Sequence, residues 1–384
     1  MTGDQPAADP KISIQRLSKV FGPDPGSVLA MLHAGASKNE ILNARGHVVA
    51  LNDINLDITD HSIQVIMGLS GSGKSTLVRH INRLIEPSAG RVLIDGRDVL
   101  GLSESELQTF RREKVSMVFQ RFGLLPHQTV ADNVGFGLGV RGDNTALRRT
   151  QTQTWIEKVG LQGYEESYPS QLSGGMQQRV GLARALAMDT DILLMDEPFS
   201  ALDPLIRTEM QDLLLDLQKE LKKTVLFITH DPDEAMRLGD AIAILKDGEI
   251  AQNGGPEDIL LRPASGYIQN FTKDINRGRV VTVDAIAVNG DTVSDGPELA
   301  AHTTLAEAGK MLAGSPNVTA KVIDANGKIL GGVRLTDIAR AIARDVEQKI
   351  SPPAARKPPC LRSTRQRVLQ SSEHQCQNVN RDRR

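Results

Sequence analysis

The chain has 384 residues, enough for roughly two or three domains, and 40% of them are hydrophobic, so a large core can be buried. A net charge of −2 gives no bulk electrostatic reason to bind nucleic acid, and the two cysteines, Cys360 and Cys376, give no disulfide framework or zinc site. No apolar run approaches the roughly 20 residues that span a bilayer, and the first residues lack the pattern of a secretory signal.

Residues 1–10 are small and polar and read as disordered. KISIQRLSKVF, residues 11–21, alternates apolar and polar residues, which predicts an exposed-edge strand. Between residues 22 and 46 the spacing turns helical, and Ser37 opens a capping-box-like SKNE. Strand patterns return at VALNDINLDI and SIQVIMG. From there short β-branched runs alternate with helical stretches to about residue 275. That alternation predicts an α/β domain with a mostly parallel, doubly wound sheet over 11–275. Composition changes near Asn276, and residues 280–345 carry strand and helix patterns of their own. The last 34 residues, 351–384, hold eight basic and two acidic residues and few large aliphatics, which predicts a disordered basic tail.

Two motifs carry phosphate chemistry. Gly68-Leu-Ser70-Gly71-Ser72-Gly73-Lys74-Ser75-Thr76 fits G-x-x-x-x-G-K-S/T and stands between a strand and a helix. Its glycines let backbone N–H groups converge on phosphate oxygens, and the following helix points its N-terminus at the same anion. Lys74 is expected to reach the β- and γ-phosphates of ATP, and Ser75 to ligate Mg2+. The second motif, Ile192-Leu-Leu-Met-Asp196-Glu197, is a buried strand ending in two carboxylates. Asp196 would face the metal, and Glu197 would polarise the attacking water.

Other motifs narrow the field. Leu172-Ser173-Gly174-Gly175-Met176 precedes a helical run, Ser200-Ala-Leu-Asp203 follows the carboxylates, His230 closes TVLFITH, Gln120 closes VSMVFQ, and Phe21 stands in KVFG. Taken singly, the glycines read as a turn, His230 as a strand-end histidine and Phe21 as core. In this order they resemble the ABC ATPases over residues 11 to about 275. They match the signature (with Met176 in the usual Gln position), the D-loop, the switch histidine, the Q-loop and the aromatic A-loop. The resemblance implies a P-loop ATPase domain with a helical subdomain. It also implies that Phe21 stacks on adenine, that Gln120 senses Mg2+, and that His230 contacts the γ-phosphate. Two copies would pack head to tail, with Ser173 and Gly175 of one capping ATP held by the other and Asp203 beside them. One motif set per chain makes a homodimer the simplest assembly.

Within that family the chain resembles subunits for glycine betaine and proline import. AMLHAGASKNEIL, GLSGSGKSTLVRHINRLIEPSAG and FSALDPLIRTEMQDLLLDLQ carry this likeness. Thr304-Leu-Ala-Glu-Ala, Val322-Ile-Asp-Ala-Asn-Gly and Leu335-Thr-Asp-Ile resemble one CBS module, where such modules normally pair. Pro198 departs from the Ala frequent in this group. The resemblance implies membrane permease partners, indirectly a periplasmic or extracellular substrate-binding protein, and a peripheral place on the cytoplasmic face of the inner membrane. Choline, histidine or another small amine remain alternative substrates. ABC ATPases of DNA repair or translation usually carry two ATPase units or long coiled-coil insertions, and neither pattern is present.

Overall fold

The computed structural model describes residues 9–120, 123–288, 296–314 and 318–343. The expected tail at 351–384, with both cysteines, lies outside them. The chain opens on β1 (Ile12–Phe21), then α1 (Pro25–His33), α2 (Lys38–Arg45), β2 (Val48–Ile58) and β3 (Ile63–Gly68). Next come α3 (Lys74–Ile81), β4 (Ala89–Ile94), β5 (Arg97–Asp98), α4 (Glu104–Glu113) and β6 (Val115–Val118). A helical segment holds α5 (Val130–Arg141), α6 (Thr145–Lys158) and α7 (Gly174–Ala187). Strands and helices then alternate through β7 (Ile192–Asp196), α8 (Pro204–Leu221), β8 (Thr224–Thr229), α9 (Pro232–Leu238), β9 (Ala241–Lys246) and β10 (Glu249–Gly254). The chain continues with α10 (Pro256–Leu261), α11 (Gly266–Phe271), α12 (Arg277–Val280), β11 (Glu298–Ala300), α13 (Leu305–Ala313), β12 (Thr319–Ile323), β13 (Ile329–Arg334) and α14 (Leu335–Ile342).

The central sheet has six strands in the order β10-β9-β3-β8-β7-β6, all parallel except β10. Its inner strands β3, β7 and β8 are buried on both faces, and alternate residues feed two cores. Val65, Met67, Leu193, Met195, Val225 and Phe227 face a core shared with α5, α6 and α7. Ile66, Ile192, Leu194, Leu226 and Ile228 face the other, shared with β1, β2 and β4. Register pairs Met67 with Thr229 and Asp196 with Ile228, so the carboxyl ends of β3, β7 and β8 are level.

Two expectations need correction. The doubly wound sheet does not take up all the strands: β2-β1-β4-β5 form a separate antiparallel sheet. Only residues 59–62 separate β2 from β3, and a parallel crossover needs about a dozen residues. β1 is also not an edge strand, since β2 and β4 flank it. Its alternation reports one buried face and carries no information on how many neighbours it has.

The helices between β1 and β2 form as expected. Ser37 and Glu40 make a reciprocal capping box, and Val28 and Ile41 pack on Val20 and Val49 in a small core of their own. The composition change near Asn276 is not a break in packing. Ile259, Leu260, Ile268 and Ile275 share one core with Val281, Val283, Leu299, Leu305 and Ile338. Residues 298–342 run strand-helix-strand-strand-helix on a three-stranded sheet, β11-β12-β13.

Candidate nucleotide site

β3 delivers the chain to Gly68, and the loop beyond it turns tightly into α3. Gly73 caps α3 at φ 102°, and a Cβ there would stand 2.7 Å from the carbonyl oxygen of Ala50, so only glycine fits. The helix starts at Lys74, with Ser75 and Thr76 in its first turn, whose N–H groups have no partner within the helix and could receive an anion. Ser70 and Gly71 are exposed at the loop's crest, while Ser72 Oγ is buried with no hydrogen-bond partner among the described residues.

Lys74 is buried, and its Nζ donates to the carbonyls of Gly68 (2.9 Å) and Leu69 (3.1 Å). Burial pushes this ammonium below its ordinary pKa, opposed by the charges of Glu197 and Asp196. Asp196, at the end of β7, is also buried; its Oδ1 accepts from Ser75 Oγ at 2.8 Å, and its Oδ2 lies 3.4 Å from Arg79 Nη2. A hydroxyl beside a carboxylate is a hard-oxygen donor pair that suits Mg2+, which takes few protein ligands and completes its shell with phosphate and water.

Glu197 is the point of convergence. Its backbone is left-handed at φ 46°, held by its N–H donating to Ile228 O at 3.2 Å. Such a conformation costs on the order of 1–3 kcal/mol outside glycine and marks sites the surroundings enforce. Oε2 accepts from Gln120 Nε2 at 3.3 Å and lies 3.1 Å from His230 Nδ1; Oε1 lies 3.7 Å from Lys74 Nζ. Gln120, two residues past β6, is therefore turned toward Glu197 here and not toward the Ser75–Asp196 pair. Three side chains from separate sequence motifs, Lys74, Gln120 and His230, meet on this one carboxylate.

The remaining predicted residues occupy two further places. Phe21 ends β1 with 42% of its surface exposed, paired in register with Val48, which is 52% exposed. Lys19 Nζ stands 5.0 Å from its ring centre. Ser173 N-caps α7, its Oγ accepting from Met176 N at 3.4 Å, and Asp203 N-caps α8 by accepting from Ile206 N at 3.1 Å. A Cβ on Gly174 would lie 3.8 Å from Leu202, and one on Gly175 only 2.5 Å from Ile206 Cγ2. This second cluster thus bonds and packs at the facing starts of α7 and α8 instead of joining the phosphate loop. Arg79 and Val48 belong to no motif in the sequence. The signal for Arg79 was its place one helical turn beyond Ser75 on the same face, and for Val48 its register opposite Phe21.

Comparison with known proteins shows the family. A family model described as ABC transporter matches residues 51–200. The glycine betaine transport ATP-binding protein OpuAA of Bacillus subtilis (strain 168) is 48% identical over 338 residues, 88% of this chain and 79% of that protein. The glycine betaine/proline betaine transport system ATP-binding protein ProV of Escherichia coli (strain K12) is 46% identical over 337 residues, 87% of this chain and 83% of that one. Among solved structures, an ATP-binding cassette captured as a post-hydrolysis dimer with ADP and phosphate superposes with a TM-score of 0.54. It is 33% identical and covers 64% of this chain and 98% of its own.

Proposed function

Because this chain belongs to the family of ABC transporter ATP-binding subunits, we propose that the ATP it binds and hydrolyses drives import of glycine betaine, proline betaine or a related small quaternary amine. The observation that carries the catalytic reading is the meeting of Lys74, Gln120 and His230 on Glu197, beside the Ser75–Asp196 pair.

Each residue then has a task. The backbone of Gly68, Ser70, Gly71, Ser72 and Gly73, with the first turn of α3 at Ser75 and Thr76, cradles the β- and γ-phosphates. Lys74 exchanges the carbonyls of Gly68 and Leu69 for phosphate oxygens, which repay its desolvation better than neutral acceptors do. Phe21 stacks on the adenine. Mg2+, held by Ser75, Asp196 and Gln120, would neutralise charge on the phosphates. Glu197 takes a proton from, or orients, the attacking water, and His230 steadies the γ-phosphate. To serve the metal, Gln120 would exchange its hydrogen bond to Glu197 for the cation.

The second anion site, at Ser173, Gly174 and Gly175, serves ATP held by a second copy of the chain, with Asp203 at the same interface; the solved relative is itself a dimer. Among the described residues no helix is long and apolar enough to cross a membrane. The likeness to ATP-binding subunits of transport systems supports separate permease subunits as the path for substrate, fed by a substrate-binding protein, with this chain peripheral on the cytoplasmic face. No role for nucleic acid is required. We read residues 280–345 as a single CBS-like module whose face is completed by the second copy.

The test is purification of the tagged chain from solubilised membranes, coupled to uptake of labelled glycine betaine by the same cells. A multispanning permease should co-purify, and uptake should disappear in cells carrying Lys74→Ala. Uptake that survives this substitution, in cells with no other betaine importer, overturns the reading.

A further inference from the structure

The first turn of α8 lies where two loops meet. Its cap, Asp203, closes the segment that runs on from Glu197, and one turn later stands Arg207. Arg207 Nη2 donates to the carbonyl of Leu202 at 3.2 Å, and Nη1 lies 3.1 Å from Asp231 Oδ2. Asp231 directly follows His230 and is doubly engaged. Its Oδ1 caps α9, accepting from Asp233 N (3.0 Å) and Glu234 N (3.4 Å), and its own N–H donates to Thr229 Oγ1 at 3.0 Å. The pair is mostly withdrawn from solvent, with side-chain exposures of 28% and 32%. A guanidinium can hold two acceptors in fixed directions at once, which a single ammonium cannot.

We propose that Arg207 is a positioning residue for ATP hydrolysis, tying the backbone of residues 200–203 to the segment that presents His230 to Glu197. The inference rests on the catalytic reading of Glu197 and His230 given above. Ile206, the neighbour of Arg207, is the residue against which Gly175 packs. A displacement at the start of α7 is therefore felt in the same helical turn that holds the His230 segment. Through Arg207 the histidine keeps its place at 3.1 Å from Glu197 only while Leu202 keeps its own.

The experiment compares Arg207→Met, Arg207→Lys, His230→Ala and the Arg207→Met/His230→Ala double variant in steady-state ATP hydrolysis. Misplacing a catalytic group by about 1 Å can cost on the order of 100-fold. Arg207→Met should thus lower kcat by about 10- to 100-fold and leave the KM for ATP nearly unchanged. Arg207→Lys should stay low, because charge alone does not bridge both acceptors. In the His230→Ala background, Arg207→Met should cost nothing further, since residues that act as one unit are not additive. If Arg207→Met does not fold, Asp231→Asn makes the same comparison, because it keeps the oxygen that caps α9. Native kcat in the Arg207 variants, full rescue by lysine, or losses that multiply in the double variant would overturn the inference alone. Native activity in His230→Ala would sink the reading of His230 and the inference with it.

Discussion

Replacing Glu197 by glutamine tests the site where most of its contacts meet. The amide has almost the same shape, so the left-handed backbone at φ 46° and the bond from its N–H to Ile228 remain available. What changes is charge. Oε2 now accepts from Gln120 at 3.3 Å and lies 3.1 Å from His230, and Oε1 faces Lys74 at 3.7 Å. Glutamine offers only one acceptor oxygen to these three groups and cannot take a proton from water. Loss of a general base typically costs 10²- to 10⁴-fold, which is about 2.7 to 5.4 kcal/mol of barrier. The phosphate loop and the Ser75–Asp196 pair are untouched, so ATP affinity should hold and the ATP-bound dimer should accumulate. The assay is turnover under saturating ATP and Mg2+, with the mass of the species measured in solution with and without ATP. Turnover within a factor of a few of native, with monomer at all ATP concentrations, would refute the assignment of Glu197 as the base.

Three further outcomes are expected. Gly175→Ala would place a methyl 2.5 Å from Ile206 Cγ2 and should destabilise the fold by roughly 1–3 kcal/mol; Ile206→Ala, which removes the clashing carbon, should recover part of that in the double variant, and purely additive losses in denaturant melts would contradict the packing. Burial raises the Glu234 carboxyl above its ordinary 4.5, against hydrogen bonds from Thr229 and Gln211. A raised folded value contributes stability at low pH that is lost as pH climbs through it, so Glu234→Gln should gain melting temperature relative to native as pH goes from 5 to 8; a difference independent of pH would contradict this. Mixing Lys74→Ala chains with Ser173→Arg chains should restore part of the activity, because one site of the heterodimer is intact. Proven heterodimers that stay inactive at every mixing ratio would count against a site shared between two copies.

Much of the candidate nucleotide site is legible in the sequence because its constraints are local. Gly73 needs a left-handed turn, Lys74 must start a helix, and Asp196 must end a buried strand. All three demands fall within a few contiguous residues. Ser37 and Glu40 were readable for the same reason, as a cap involves only its own turn. The rest depends on partners distant in sequence. That β1 lies between β2 and β4 cannot be read from its alternation, since a strand with one neighbour or two buries the same face. That Ile275 and Val281 share a core is likewise invisible to composition, which reports polarity and not contact. Arg79 and Arg207 read as ordinary helix-surface arginines until the fold brings Asp196 and Asp231 to them.

The nucleotide site is tested most directly by ATP hydrolysis of the purified chain with Mg2+, measured beside folded Lys74→Ala. Lys74 Nζ is enclosed by the loop, 2.9 Å from Gly68 O and 3.7 Å from Glu197. Native chain should turn over ATP, with rates rising more steeply than linearly in protein concentration where dimerisation limits. Lys74→Ala should bind ATP weakly and hydrolyse almost none. Equal affinity and turnover in the two proteins would contradict the assignment of this loop as the phosphate site.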